Sequence, residues 1–173
     1  MRLSKLTVSI LTLVVVITAG AFAQTAQTED SGSITLTGSV AKKVTINVTP
    51  IGDYDSLNLM TDVSDLQVAN VTEFSNVNAG YTVSLESANA QAQGTSDPFF
   101  SGGAGNDTLT YTIAYDGQAV SFNSGAAATV TDASDKTALS GTTKPLSISY
   151  SGTSVNIYEG TYSDTLTFTI SAK

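Results

Sequence analysis

The chain has no cysteine, no histidine and no tryptophan, and its only methionine after the first residue is Met60. Without cysteine no disulfide can staple the fold, even in an oxidising compartment. Without cysteine or histidine, thiol and imidazole nucleophiles and bases are absent, and with them nearly all zinc sites. Carboxylates, tyrosine, lysine and hydroxyls are what remain for chemistry. Basic residues are also scarce, 7 against 15 acidic ones. Long apolar runs are scarcer still: the one example is "LTVSILTLVVVI" near the start, too short for a membrane span of about 20 residues. Arg2 and Lys5 before it and "AFA" after it give residues 1–23 the layout of a secretory signal, with cleavage expected before Gln24. Removing that segment leaves 5 of the 7 basic residues against all 15 acidic ones, a net of −10 where the whole chain has −8. Such a surface repels nucleic acid and anionic membranes, so neither nucleic-acid binding nor direct membrane insertion is expected. About 150 residues then remain, enough for one domain with a sizeable core.

What is abundant is Thr, Ser, Val and Ile, punctuated by turn residues at short intervals, a composition that suits strands and serves helices poorly. "DLQVANVTEF" places Leu66, Val68 and Val71 as apolar positions, and their change of parity asks for a bulge near Asn70. A turn at residues 78–80 leads into Tyr81, Val83 and Leu85 on one face. "LTYTIAYDGQAVSF" reads as a hairpin, with Leu109, Tyr111, Ile113 and Tyr115 alternating, a tight turn at Asp116 and Gly117, and a return through Val120 and Phe122. A small, polar stretch over 123–144 follows. Pro145 then precedes the strand "LSISY", "SVNIY" comes next, and the chain closes on "EGTYSDTLTFTISAK". The segment "LNLMTDVSDLQV" is expected to hold one helical turn and nothing longer. The expected class is all-β, an immunoglobulin-like antiparallel sandwich.

Two local patterns resemble sites. "GGAGNDTLT", residues 102–110, fits a calcium-binding nonapeptide with Asp107 as ligand and Leu109 as the inward residue. That motif works by stacking neighbouring repeats, and this chain has one copy, so a Gly-rich loop leading into a strand is the expected outcome. No metal or other cofactor is expected, and Asp107 stands as the one candidate ligand. The carboxylates Asp53 and Asp55, Asp62 and Asp65, Asp132 and Asp135 lie close in sequence but in turn-rich, polar segments, where solvated loop residues are the ordinary finding. A secreted hydrolase would have to use such a pair in a cleft shaped for its substrate. We expect no enzyme. Asn47, Asn70 and Asn106 each begin a glycosylation sequon, which matters only in a eukaryotic secretory route.

The opening and closing segments ask for more. In "GSITLTGSVAKKVTINV", residues 32–48, the apolar residues Ile34, Leu36, Val40, Val44, Ile46 and Val48 all fall on even numbers. This is enough alternation for two strands end to end, where strands usually run about 5 to 6 residues. At the other end Leu166, Phe168 and Ile170 share one face and threonines 165, 167 and 169 the other. A spare apolar strand at the start and an apolar strand at the close suggest that the first completes a sheet beside the last. Whether it does so in its own molecule or in another is left open by the residues.

The closing "GTYSDTLTFTI" resembles the G-x-Y-x-D-x-(V/L)-x-V-x-V ending of archaic-type chaperone–usher pilins and of spore-coat-U-like secreted proteins. The opening "TLTGSVAKKVTINV" is similar to their N-terminal donor segment running into the first strand. Together the two matches span roughly 40 residues, and the cysteine pair of many such relatives is missing here. The resemblance implies a sandwich that lacks its seventh strand and is completed by a donor strand from the next subunit. Ile34, Leu36 and Val40 become donor anchors, and Gly38 the point of close backbone passage. Leu166, Phe168 and Ile170 become the acceptor groove, with Lys42 and Lys43 at the junction. It further implies a signal peptide over 1–23, an extension over 24–41 and a domain over 42–173. The partners implied are identical or related subunits, a periplasmic chaperone and an outer-membrane usher, and the route runs through the periplasm to a fibre on the cell surface. The rival expectation is a self-contained monomeric adhesin or ligand-binding module.

Overall fold

The computed structural model describes residues 29–104, 107–152 and 157–173. The expected signal segment, Asn106 and most of "SVNIY" lie outside them. The chain divides into a unit ending at Gly38 and a unit spanning Ser39–Lys173. In the first, residues 29–38 carry no regular structure and are exposed.

The second unit is an all-β antiparallel sandwich. Its strands are β1 (Val44–Pro50), β2 (Val63–Ser75), β3 (Tyr81–Ser87), β4 (Phe99–Gly102), β5 (Asp107–Thr110), β6 (Thr112–Tyr115), β7 (Gln118–Val120), β8 (Ala128–Ala133), β9 (Thr142–Tyr150), β10 (Tyr162–Ser163) and β11 (Leu166–Ala172), with one short helix, α1 (Ala88–Gln93). One sheet runs β1-β2-β9-β6-β7, a second β11-β3-β8, and a small third β10-β4-β5. Every ladder is antiparallel. The first two sheets meet face to face over one core. Ala69 and Val71 of β2, Leu146 and Ile148 of β9 and Ile113 of β6 pack with Leu85 of β3 and Phe168 of β11. The rings of Tyr115 and Phe168 lie 5.4 Å apart across the layers.

Alternation explains most of this. Tyr81, Val83 and Leu85 are buried while their odd-step neighbours are half-buried, so β3 turns one face to the core. Along β2 the inward parity changes, as Leu66, Val68 and Val71 require. The register shift falls between Gln67 and Ala69, slightly before the expected Asn70. Asp116 and Gly117 both have positive φ, 51° and 74°, the backbone of a tight two-residue hairpin.

Four expectations need correction. The run from Leu109 to Tyr115 is not one strand: it breaks at Tyr111, passing from the third sheet to the first. There the Tyr111 N–H donates to the Pro98 carbonyl and its ring stacks on Phe100 at 4.4 Å. Pro145 lies inside β9 rather than before it. Its carbonyl accepts from the Asp116 N–H, so its missing donor faces the side where β6 has already ended, and no bond to β2 is lost. The polar stretch 123–144 contains β8, whose Thr131 is buried. Finally, the helical turn sought in "LNLMTDVSDLQV" is absent there, and α1 forms instead at Ala88–Gln93. Ser87 caps it by accepting from the Ala90 N–H, and Gly94 ends it in the left-handed region.

A candidate partner-binding groove

In the lettering of immunoglobulin sandwiches, the order β1-β2-β9-β6 reproduces A-B-E-D, and β11 beside β3 reproduces F beside C. The seventh strand, G, would lie on the outer edge of F. Among the described residues nothing pairs there: β11 is hydrogen-bonded only to β3, and β1 only to β2.

Burial follows from that pairing. On β3 the inward residues Val83 and Leu85 are 0 % exposed. Directly across the ladder, their partners Ile170 and Phe168 on β11 are only half-buried, as is Leu166. On β1, Val44 and Ile46 are half-buried and Val48 is 43 % exposed. The two strands come close at one end, where the Lys42 ammonium donates to the Lys173 carbonyl at 3.2 Å. At the other end lies an apolar cleft of about 180 Å³, walled by Val48 and Pro50 on one side and Leu166 on the other, with Ala69, Leu146 and Ile148 among the residues beneath. Tyr54, Leu57, Phe100 and Asp164 also line it, and they continue into a wider cleft of about 810 Å³ between the 54–60 loop and residues 157–164.

Of the expected acceptor residues, Leu166 lines the small cleft. Phe168 and Ile170 share its inward face but lie further along β11, toward the end closed by Lys42. Val48, Pro50, Leu57 and Phe100 also line the cleft, a role that the sequence reading did not assign to them. Leu57 sits in a loop with no periodicity to mark it, whereas Val48 was legible as the last inward position of β1. The expected donor residues Ile34, Leu36 and Val40 are 85 %, 86 % and 90 % exposed, and Gly38 has nothing within 4 Å of its would-be Cβ.

The closing motif has structural work of its own. Asp164 accepts from the Tyr111 and Ser87 hydroxyls at 2.7 and 2.6 Å and from the Asn89 N–H at 3.1 Å, which ties the start of β11 to α1 and to the strand break at Tyr111. Burial, followed by the hydrogen bond to Asp164, pushes the Tyr111 hydroxyl far above its ordinary value. Gly160 passes so close to Gly103 that an added Cβ would meet its Cα at 2.6 Å, and the Tyr162 hydroxyl donates to the Tyr158 carbonyl.

Asp107 is also committed, since its carboxylate accepts from the Tyr158 N–H at 2.7 Å. Among the described residues no three His, Cys, Asp or Glu side chains gather as a metal site. The carboxylate pairs are dispersed in role: Asp132 pairs with Lys173, Asp62 accepts from the Gly152 N–H, and the Asp65 N–H donates to Ser149.

Deeper in the core, across the ladder from Ile46 of β1, lies a carboxylate that the sequence did not single out. Glu73 is fully buried. It accepts from the hydroxyls of Tyr115, Thr131 and Tyr81 at 2.6, 2.7 and 2.9 Å, and pairs with Lys144 at 3.2 Å. Lys144 in turn donates to Thr131 at 2.7 Å and lies over the Tyr115 ring. Every partner of this network is spoken for, so its chemistry is that of a structural tie. Comparison with protein-family models and with curated proteins finds no match for this chain.

Proposed function

We propose that this protein is a structural subunit of an exported surface fibre, joined to its neighbours by donor-strand complementation. The observation that carries the reading is the pair of unpaired edges on β1 and β11, with an apolar cleft between them where a seventh strand belongs. Beside it stands the alternation of Ile34, Leu36 and Val40 in an exposed segment, a strand written in sequence with no sheet of its own. An extended segment laid into the cleft gains backbone bonds on both edges and buries its alternate side chains, the physics of strand addition. In the resemblance stated above, a periplasmic chaperone occupies the same groove before assembly and an outer-membrane usher receives the subunit.

The test uses Leu36→Arg. A buried, unpaired charge costs far more than one anchor returns, so the variant should form no high-mass assemblies while remaining able to accept a synthetic peptide of residues 31–41. Sizing by light scattering, and melting of a chain beginning at Lys42 with and without the peptide, read both halves. If that shortened chain is already a stable, cooperative monomer that ignores the peptide, the sandwich is complete by itself. The monomeric binding-module reading then replaces this one.

A further inference from the structure

The approach to β1 is held by one side chain. The Asn76 amide donates through Nδ2 to the Ala41 carbonyl at 2.9 Å and accepts at Oδ1 from the Lys43 N–H at 2.7 Å, while its own backbone N–H donates to the Lys43 carbonyl at 3.1 Å. Val44 pairs with Ser75, so these three bonds continue the β1–β2 ladder back to Ala41. Residues 41–43 are thereby committed to the line of the strand.

This commitment decides which copy's groove the extension can serve. To fold back along its own β1, the chain must reverse before Ala41. The tightest reversal is a two-residue loop at Ser39 and Val40, which pairs Gly38 with Ala41. Counting back, Leu36 then faces Lys43, Ile34 faces Thr45, Ser31 faces Val48 and Glu29 faces Pro50. A three-residue loop over 38–40 shifts the pairing by one and sets Asp30 against Val48. In either register the apolar anchors stop short of the cleft at Val48, Pro50 and Leu166, and polar or acidic residues arrive there instead, where burial is unfavourable. A reversal within 41–43 does better: a loop over those three residues sets Leu36 against Val48 and Ile34 against Pro50. That loop needs the Asn76 bonds broken.

We infer that Asn76 is a positioning residue that prevents the subunit from filling its own groove, reserving the extension for a second copy of this chain. A strand arriving from another copy has no linker to fix its register and can place Leu36 in the cleft directly. The inference rests on the donor-strand reading and adds the device that keeps the donation between molecules.

Because the chain lacks cysteine, engineered thiols report pairing without interference. Four samples of the exported chain are oxidised at low concentration: Leu36→Cys mixed with Leu166→Cys, the double variant, and the double variant also carrying Asn76→Ala or Asn76→Asp. We expect the mixture to yield a bridged heterodimer, the double variant to yield bridged multimers, and Asn76→Ala to raise the bridged monomer about tenfold, the factor that two exposed hydrogen bonds carry. Asn76→Asp keeps the acceptor for Lys43 but loses the donor to Ala41, and should fall between the two. If the double variant with Asn76 intact closes as a bridged monomer, or if Asn76→Ala leaves the ratio unchanged, the inference is wrong and the groove reading stands. If no bridge of either kind forms in any mixture, the extension does not enter the groove, and the fibre reading itself fails. Circular dichroism on each variant confirms that the sandwich is intact.

Discussion

The two flanks of the sandwich are built from the same alternating pattern and end in opposite states. Around Glu73, β2 and β3 are flanked on both sides, by β1 and β9 and by β11 and β8, and their inward residues Val71, Val83 and Leu85 reach 0 % exposure. Even a carboxylate is tolerated there, because three hydroxyls and one ammonium satisfy it. At β1 and β11, residues of the same kind stay half-buried because each strand has one neighbour. Alternation therefore specifies which face a residue takes, while the number of strand neighbours specifies how dry that face becomes.

The sharpest way to break the closed flank is Lys144→Met. Removing the cation leaves Glu73 fully buried with hydroxyl donors alone, and breaking a buried pair from one side costs about 3 to 5 kcal/mol. Chemical denaturation should show a loss of that size. A loss below about 1 kcal/mol would mean that the hydroxyls carry the carboxylate unaided and that the flank is not held by its ion pair.

The comparison sharpens with matched truncations. Leu85→Ala, in the closed core, should cost about 2 to 5 kcal/mol, while Leu166→Ala, at the open edge, should cost markedly less in a chain beginning at Lys42. Adding the 31–41 peptide should raise the cost at Leu166 and leave that at Leu85 unchanged, because only the first site gains a covering strand. Equal costs at both sites without peptide would show that β11 is as well sealed as β3.

Much of the sandwich was legible in the residues because period-2 alternation is a local signal. Tyr81 to Leu85, the parity change along β2 and the Asp116–Gly117 turn could all be read directly. What escaped depends on partners distant in sequence. The strand break at Tyr111 is set by Pro98, Phe100 and Asp164 together, none of which alternation can announce. Ser87 and Gly94 are residue types that cap helices, but the six residues between them show no amphipathic period, so nothing in the sequence marked α1. Within the groove, Leu166 and Val48 follow from periodicity. Leu57 and Phe100 reach it from a loop and from the third sheet. Glu73 could be placed inward by counting, yet nothing near it in sequence named Lys144 as its counter-ion.

The smallest effect expected is a titration of the closed flank. Burial, then the hydrogen bond to Glu73, then its charge, push the Tyr81 hydroxyl from its ordinary value of 10.0 up to about 12. Tyr115 is raised further for the same reasons, with burial again the largest. A hydroxyl that holds its proton more tightly in the folded chain contributes stability that is fully present below pH 10. Above that the unfolded chain releases the proton while the folded chain keeps it, so stability falls as pH rises, and Tyr81's share is gone once the folded value near 12 is passed. Urea unfolding at intervals from pH 9 to 12 should therefore give a flat region and then a decline. Tyr81→Phe should lower stability modestly at pH 9 through the lost hydrogen bond but make the decline shallower, since one of the coupled hydroxyls no longer titrates. An unchanged slope in Tyr81→Phe would place the alkaline transition elsewhere and remove Tyr81 from the network that keeps this flank closed.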